Sequence, residues 1–354
     1  MEVNGGDRLR ELLFRLCDAR SVSGDEGEVR DILRQELNGD VRTDTLGNLL
    51  VRRPDPAGSP EPVRVMLAAH QDEVGFMVTR IEKDGRLRFA VVGGIDPRVL
   101  PGLAVLVGAD RIPGVIGVGP PHLLEPGAKP PVPRAEELLI DVGCSSREDA
   151  ERSFKVGDYA VFATRAREIG SGLVMAKALD DRAGCAVLVE VLRGEYPGVE
   201  LHGAFTVQEE LGLRGARVAA HAIAPQVGVA LEGTICADGP AREEPHWVTR
   251  VGAGPALSLM DRTSIANPAL LDMLQGAARA DGIPFQLRRS AMGGNDAGAM
   301  SRALEGAATA SVSVPCRYLH GPASVASLAD MAAAVRLMNA FLRELSRTGF
   351  RSRP

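Results

Sequence analysis

The chain lacks a surplus of positive charge. Its 354 residues include 41 Lys and Arg against 46 Asp and Glu, which gives a formal net charge of -5 and a pI near 5.8. Proteins that bind nucleic acid or anionic lipid neutralise phosphate groups with clustered basic side chains, and the sequence has no such cluster. We therefore expect no nucleic-acid partner.

Long apolar runs and paired cysteines are also missing. Apolar stretches are broken by Gly, Pro or charge well short of a membrane span, and residues 1–10 contain no stretch typical of a signal peptide. The five cysteines are far apart and form no CxxC pair, which suits a reducing compartment. We expect a cytoplasmic protein with no membrane partner.

The apolar pattern predicts an α/β fold. A content of 45% hydrophobic and 25% charged residues is that of a globular protein with one large domain or two smaller ones. Apolar residues recur at helical spacing in four segments, which begin at Leu9, Val29, Val187 and Leu328. Short apolar runs, typical of buried strands, are Leu49–Val51, Val63–Ala69, Leu201–Val207, Val227–Leu231 and Ala308–Val314. Alternating strands and helices favour one sheet covered by helices.

The segment between residues 73 and 164 has a different pattern. Its short apolar runs follow one another without helices between them, and Gly and Pro turns separate them. These runs are Val74–Arg80, Leu87–Val92, Leu103–Val107, Val115–Val118, Leu138–Val142 and Tyr159–Ala163. We expect a small β-barrel or sandwich at 73–164, inserted into one loop of a discontinuous α/β domain made of 1–72 and 165–354.

Polar groups follow the predicted strands of the α/β domain. His70 and Asp72 come directly after the strand Val63–Ala69, and open sheets bind ligands at the carboxyl ends of their strands. Alternation in an extended segment points both side chains the same way, so Asp72 could hold the second ring nitrogen of His70. A lone HxD pair is nevertheless more often a surface feature than a metal site.

Three acidic groups and one histidine occupy comparable positions. They are Asp180 and Asp181 before a helix, Glu209 and Glu210 after a strand, Glu232 at the end of the run VGVAL, and His320 after the strand Ala308–Val314. Acidic residues before a helix are often N-caps, and a single histidine is more often structural. Glu232 is harder to explain in that way, because a buried carboxylate without a partner costs several kcal/mol.

Together these groups indicate a metal centre. Two histidines and at least three carboxylates at strand ends of one sheet suit Zn or Co, with Mn or Mg also possible. One metal ion needs fewer ligands. Five ligands that share one carboxylate fit two ions roughly 3.5 to 4 Å apart, an arrangement that polarises a carbonyl or phosphoryl group and activates water.

Five motifs extend this interpretation to a family. AAHQDEVGFMV, KALDDRAGCAVLVEVL, TVQEELGLRGA, GGNDAGAM and VPCRYLHGP, in this order over nearly the whole chain, resemble the M42 metallo-aminopeptidases. This family, also called the tetrahedral or TET aminopeptidases, includes glutamyl aminopeptidases and proteins described as endoglucanases. The resemblance implies a mixed-sheet peptidase domain with helices on both faces and an inserted barrel that mediates dimerisation. It also implies peptide substrates and assembly of dimers into a dodecamer.

The resemblance also implies roles for individual residues. One divalent ion would be held by His70, Asp180 and Glu232, and the other by Asp180, Glu210 and His320, with Asp180 bridging them. Glu209 would be the general base that takes a proton from a water held between the two ions, and Asp72 would orient His70. Gly294, Asn295 and Asp296 would lie in the substrate-binding stretch.

Two departures and two alternatives accompany the resemblance. Most relatives have Asp where this chain has Glu232, and Thr is usual at the position of Asn295, so a relative's side-chain preference does not transfer to this chain. One alternative function is a two-metal hydrolase of another amide, such as an N-acyl amino acid. The other is a non-catalytic shell protein that has kept only the assembly.

Overall fold

The computed structural model of the chain describes residues 5–119, 132–239 and 246–350. In these ranges the chain forms an eleven-stranded sheet flanked by helices and a separate closed barrel of six strands. The α/β fold and the barrel predicted from the sequence are both confirmed. No helix in these ranges is both long enough and apolar enough to cross a membrane.

The large sheet is mixed, and its centre is parallel. Its strands are β1 (Asp40–Thr43), β2 (Leu49–Arg53), β3 (Val63–His70), β10 (Arg167–Ile169), β11 (Leu173–Ala176), β12 (Val199–Thr206), β13 (Val227–Ile235), β14 (Ala256–Ser258), β15 (Gln286–Arg288), β16 (Ala308–Arg317) and β17 (Ser324–Ser327). The main order is β1-β2-β12-β3-β13-β16-β17-β11-β10, with β14 paired to β16 and β15 paired to β14. Strands β12, β3, β13 and β16 run parallel, so their carboxyl ends meet at one edge of the sheet.

Helices cover both faces of the sheet. They are α1 (Gly5–Asp18), α2 (Gly27–Glu36), α4 (Leu179–Val191), α5 (Arg214–Ile223), α6 (Pro268–Ala280), α7 (Asp296–Met300) and α8 (Leu328–Thr348). The short helix α3 (Arg147–Ala150) belongs instead to the barrel, where Ala150 packs in the core. Alternate residues of β3 belong to different cores, because successive side chains of a strand point to opposite faces. Val65 and Leu67 pack in the core that includes α1, α4, α6 and α8, whereas Met66 and Ala68 pack with α5 and α7.

The barrel has its own core. It contains β4 (Gly75–Ile81), β5 (Leu87–Val92), β6 (Ala104–Val107), β7 (Ile112–Gly117), β8 (Leu139–Asp141) and β9 (Tyr159–Phe162), closed in the order β4-β5-β8-β7-β6-β9. The Phe76 ring meets Phe89 and Phe162 edge to face, with centroids 5.1 and 5.4 Å away. This geometry suits the aromatic quadrupole, and closure leaves few backbone groups unpaired at a sheet edge.

Two strands are longer than the sequence predicts. β13 and β16 stay paired through Ile235 and Cys316, because their parallel ladder continues beyond the apolar runs. Glu232 therefore lies within β13, and its predicted position at the end of a strand is wrong. The helices α5, α6 and α7 and the short strands β14 and β15 have no counterpart in the sequence prediction. α5 is rich in Ala, and α7, β14 and β15 offer too few residues to show a period.

Candidate metal centre

Five side chains meet at the carboxyl edge of the parallel strands, in two groups of three that share Asp180. Donor atoms within each group lie within 4.8 Å of one another. The first group is His70, Asp180 and Glu232, and the second is Asp180, Glu210 and His320. The structure thus brings together all five ligands predicted from the sequence.

The two carboxylate oxygens of Asp180 face different histidines. Oδ1 lies 3.3 Å from Nε2 of His70, and Oδ2 lies 3.3 Å from Nε2 of His320. The same Nε2 atoms lie 3.6 Å from Oε2 of Glu232 and 3.1 Å from Oε1 of Glu210, respectively. One carboxylate therefore stands between two similar sets of donors, each with one imidazole nitrogen and another carboxylate.

Local backbone geometry explains how the adjacent acids Asp180 and Asp181 take different positions. Both have non-helical φ and ψ in the first turn of α4, and the peptide bond between them is cis. Asp181 is fully buried and accepts the backbone N–H groups of His70 at 3.1 Å and Gly184 at 2.9 Å. Asp180 is thus the member of the pair that faces the centre, whereas Asp181 fixes the end of β3.

Both histidines present Nε2 to the carboxylates because Nδ1 has another partner. Nδ1 of His320 donates to the carbonyl oxygen of Gly94, at 2.8 Å, in the loop that follows β5 of the barrel. Nδ1 of His70 lies 3.2 Å from the carbonyl oxygen of Asp72 and 3.4 Å from its Oδ1. Histidines that bind metals are commonly oriented in this way, so the donor set fits two divalent cations.

The pKa values of the side chains in this centre are shifted because several carboxylates lie close together. Burial lowers the pKa of His320, but hydrogen bonds with Asp180 and Glu210 outweigh it and raise the pKa to about 11. His70 shows the same opposition and has its pKa raised well above the ordinary value. Burial raises the pKa of Glu232 well above its usual range. Carboxylates this close require protons or cations between them.

Asp72 does more than the orientation of His70 predicted from the sequence. Its Oδ1 accepts the backbone N–H of Glu209 at 3.0 Å, and its Oδ2 accepts that of Glu210 at 3.2 Å and the Ser23 hydroxyl at 2.6 Å. Burial would raise the pKa of Asp72, but these bonds and His70 hold it below its ordinary value. Asp72 therefore positions the backbone that carries two other residues of the centre.

A buried charge network supports the loop that carries Asp72. Both carboxylate oxygens of Glu73 accept hydrogen bonds from Lys177 Nζ, at 2.7 and 2.8 Å, and Oε1 also accepts one from Arg182 Nη2 at 3.1 Å. Arg182 Nη1 also donates to the carbonyl oxygens of Gln71, at 2.7 Å, and Asp72. This network is not predicted from the sequence, although a lysine inside the apolar stretch LVMAKAL indicates a buried charge.

Glu209 is close to the same centre, since its carboxylate lies within 4.8 Å of donor atoms of His70 and Glu210. Burial, followed by repulsion from Glu210, raises the pKa of Glu209 well above its ordinary range, against the attraction of His70. A carboxylate with a raised pKa is a stronger proton acceptor than one with an ordinary pKa.

A cavity of about 370 Å³ opens onto the centre. Of the predicted substrate-binding stretch, Gly294 and Asn295 line this cavity. The Asn295 side chain is partly engaged elsewhere, because it accepts from Ala297 N–H at 3.0 Å to cap α7. Asp296 is fully buried beneath the wall, where it accepts the Thr206 hydroxyl at 2.5 Å.

A comparison with protein families identifies the family of the chain. The profile of the family described as M42 glutamyl aminopeptidase matches residues 47–337, which carry all five residues of the two groups. The chain belongs to the M42 peptidase family. It is therefore a hydrolase of the peptidase class.

Relatives of this M42 peptidase match it over nearly their full length. FrvX of Escherichia coli strain K12 is 35% identical over 344 residues, 95% of each chain. The lysyl aminopeptidase of Pyrococcus furiosus is 34% identical over 352 residues, 96% of this chain and 98% of the other.

Solved structures of M42-like peptidases match it equally well. An aminopeptidase from the archaeon Desulfurococcus kamchatkensis superposes with a TM-score of 0.91 at 35% identity and 96% coverage of both chains. The TET1 peptidase of Pyrococcus horikoshii, which can assemble into a tetrahedron or a large octahedral shell, has a TM-score of 0.83 at 32% identity. That match covers 95% of this chain and all of the other.

Proposed function

We propose that this M42 peptidase removes N-terminal residues from peptides with the help of two divalent metal ions and with Glu209 as general base. The observation that carries the proposal is the position of Asp180, whose two oxygens face His70 and His320 separately. A carboxylate in that position can bridge two ions, which a site for one ion does not require.

The donor set supports two ions with mixed nitrogen and oxygen ligands. His70 and Glu232 would hold one ion, Glu210 and His320 would hold the other, and Asp180 would be shared. Zn or Co suits this donor set, and Mn or Mg is compatible with its carboxylates. When bound, such ions polarise a scissile carbonyl and lower the pKa of water.

Glu209 is proposed as the base because the two groups that share Asp180 already provide three ligands for each ion, whereas Glu209 belongs only to a third group, with His70 and Glu210. The Glu209 carboxylate would take a proton from the attacking water and deliver it to the nitrogen of the leaving amine. The raised pKa of Glu209 supports this role. Asp72 would hold the backbone of Glu209 and Glu210 in place, because it accepts hydrogen bonds from both of their N–H groups.

Self-association is proposed for the inserted unit. We assign residues 73–164 to a dimerisation domain and 1–72 with 165–354 to the peptidase domain. The likeness to a TET1 peptidase that assembles into a tetrahedron supports dimers arranged as a dodecamer. Five unpaired thiols are consistent with a reducing, cytoplasmic location.

The test is turnover on free-amine and N-acylated chromogenic amino acids after chelation, with Zn, Co, Mn or Mg added back. Hydrolysis of free-amine substrates alone, restored by metal, supports the proposal. Hydrolysis of the N-acylated substrates would instead identify a deacylase. Loaded protein that hydrolyses neither type would identify a non-catalytic shell protein, and full activity after chelation would exclude the metal mechanism.

A further inference from the structure

The side chain of Asp180 has no anchor outside the metal centre. Among the described residues, its carboxylate has two partners within hydrogen-bonding or ion-pair distance, His70 and His320. Both are proposed ligands of the same centre, so neither fixes Asp180 independently of the metal ions. The backbone that carries Asp180 must therefore determine where its carboxylate lies between the two groups of donors.

That backbone departs from helical geometry over residues 178–181. Ala178 has a φ of +54°, in the left-handed region that residues with a Cβ seldom adopt. Asp180 and Asp181 have non-helical φ and ψ within the first turn of α4. A non-glycine residue stays in the left-handed region only where the surrounding structure holds it there. The segment therefore needs contacts that fix its two ends.

Two buried cations flank this segment. Lys177 comes directly before Ala178, and Arg182 comes directly after Asp181. Only 2% of Lys177 and 0% of Arg182 are exposed. A lysine or arginine is almost never buried so completely unless its charge is paired, because an unpaired charge loses its hydration. Both ends of the segment therefore carry a charge that requires a partner inside the protein.

One carboxylate is the partner of both cations. Lys177 Nζ lies 2.7 Å from Oε1 and 2.8 Å from Oε2 of Glu73, and Arg182 Nη2 lies 3.1 Å from the same Oε1. Oε1 also accepts the backbone N–H of Ser21 at 3.1 Å. Glu73 thus joins the two ends of the segment 177–182. We call the side chains of Glu73, Lys177 and Arg182 the clamp.

Backbone carbonyl groups fix the clamp to the rest of the peptidase domain. Lys177 Nζ donates to the carbonyl oxygen of Ala19 at 2.6 Å. Arg182 donates through Nε to the carbonyl oxygen of Leu16 at 3.1 Å and through Nη1 to that of Gln71 at 2.7 Å. The clamp therefore ties the start of α4 to the end of α1 and to the loop that follows β3.

We propose that Glu73, Lys177 and Arg182 are positioning residues, which act as one unit to hold the Asp180 carboxylate between the two metal sites. None of the three side chains belongs to the two groups that share Asp180. The proposal rests on the two-metal function above and assigns the relative placement of the two sites to the clamp. Without the clamp, Asp180 would no longer face both histidines, so one of the two ions should bind more weakly.

Lys177→Met tests the clamp, because methionine has a similar length and leaves Glu73 paired with Arg182. Metal-free protein is titrated with Co²⁺, and the affinity for each ion and the visible absorption of the bound Co²⁺ are recorded. We expect the affinity for the more weakly held ion to fall by about tenfold to a hundredfold, the range for residues that orient metal ligands. The Co²⁺ absorption should shift, since it reports the ligand geometry. At saturating metal, kcat on a free-amine p-nitroanilide should fall while KM stays near that of the wild type.

Asp330→Asn is the matched control. Asp330 is also a buried carboxylate, 2% exposed, and it accepts the N–H groups of Gly252 at 2.7 Å and Gly254 at 2.8 Å. Both N–H groups lie in a loop that carries none of the proposed ligands. The substitution should lower the temperature of thermal unfolding, whereas the Co²⁺ affinities, the absorption and kcat should stay near those of the wild type.

A double variant shows whether the clamp acts as one unit. If Glu73 and Lys177 act together, the double variant Glu73→Gln with Lys177→Met should lose less affinity than the product of the losses in the two single variants. Losses that multiply would contradict the single unit.

The remaining outcomes separate the clamp from the two-metal function. A wild type that binds fewer than two Co²⁺ ions would overturn both. Two ions in the wild type, with unchanged affinities and absorption in Lys177→Met, would overturn the clamp alone, as would an equal loss in Asp330→Asn. Should Lys177→Met fail to fold, Glu73→Asp decides, because it withdraws the carboxylate from the cations and keeps its charge. An intermediate loss of affinity then supports the clamp, and wild-type affinity contradicts it.

Discussion

The carboxylate of Asp72 lies 3.0 Å from the backbone nitrogen of Glu209, although the two residues are 137 positions apart. The same carboxylate accepts the next N–H along the chain, so one side chain at the end of β3 holds the backbone turn after β12. These contacts join the parallel neighbours β3 and β12 next to Glu209, the proposed base.

Loss of this link should reduce activity while the ligands themselves are retained. Asp72→Asn keeps the shape but replaces one accepting oxygen by a donor, which opposes one of the two N–H groups. We expect kcat/KM or metal affinity to fall by about tenfold to a hundredfold, as for other groups that orient ligands. Ser23→Ala is the control, because it removes a single bond to Asp72 and leaves both N–H contacts. Equal effects of the two substitutions would contradict the role given to Asp72.

Glu209 and Glu210 should have separable roles despite being adjacent. Glu209→Gln keeps the five proposed ligands and removes the base, so we expect metal content near that of the wild type and turnover lower by about a hundredfold to ten-thousandfold. Glu210→Gln should instead lose one ion and regain part of its activity when excess metal is supplied. Metal analysis together with initial rates measures both. The reverse pattern would mean that the two roles are exchanged.

Metal binding should release protons. In the absence of a cation the pKa values of His70 and His320 are raised, that of His320 to about 11. Both imidazole rings are therefore positively charged at neutral pH in the apoprotein. A metal ligand must be the neutral imidazole, so apparent affinity should rise as pH increases towards those values. Calorimetric titration of the metal into metal-free protein should give different heats in two buffers with different ionisation enthalpies, because the buffer takes up the released protons. His320→Ala should reduce the difference, and identical heats for the wild type would exclude proton release.

Gly93 tests the contact between the barrel and the metal centre. It has a φ of +81°, and a Cβ added there would lie 2.7 Å from Val74 Cγ1 and 3.3 Å from Glu210 Oε2. Gly93→Ala should therefore displace Glu210 and lower metal content towards one ion per chain. Gly102→Ala is a matched control, since its φ is +82° and a Cβ there meets nothing within 4 Å. Both should lose roughly 1 kcal/mol from the positive φ, seen in thermal unfolding, but only Gly93→Ala should lose metal.

Some of this architecture follows from the sequence because it depends on local patterns. Apolar runs followed by His or acidic residues predict which side chains reach the carboxyl edge, and parallel strands then bring His70 and Glu232 together. The contacts of Asp72 with backbone N–H groups leave no such pattern, because any residue type provides an N–H. The short strands β14 and β15 could not be predicted either, because three residues each are too few to show a period.

The bond from His320 to the carbonyl oxygen of Gly94 makes the barrel part of the proposed catalytic machinery without giving it a catalytic side chain. Since every residue type supplies a carbonyl, natural variation at position 94 can change side chains without breaking the bond, and covariation between the two positions should be weak. A chimera that carries the barrel of a relative would preserve the orientation of the imidazole only where the grafted loop follows the same path. Recombination between family members, more than point substitution, is the genetic event that this contact constrains.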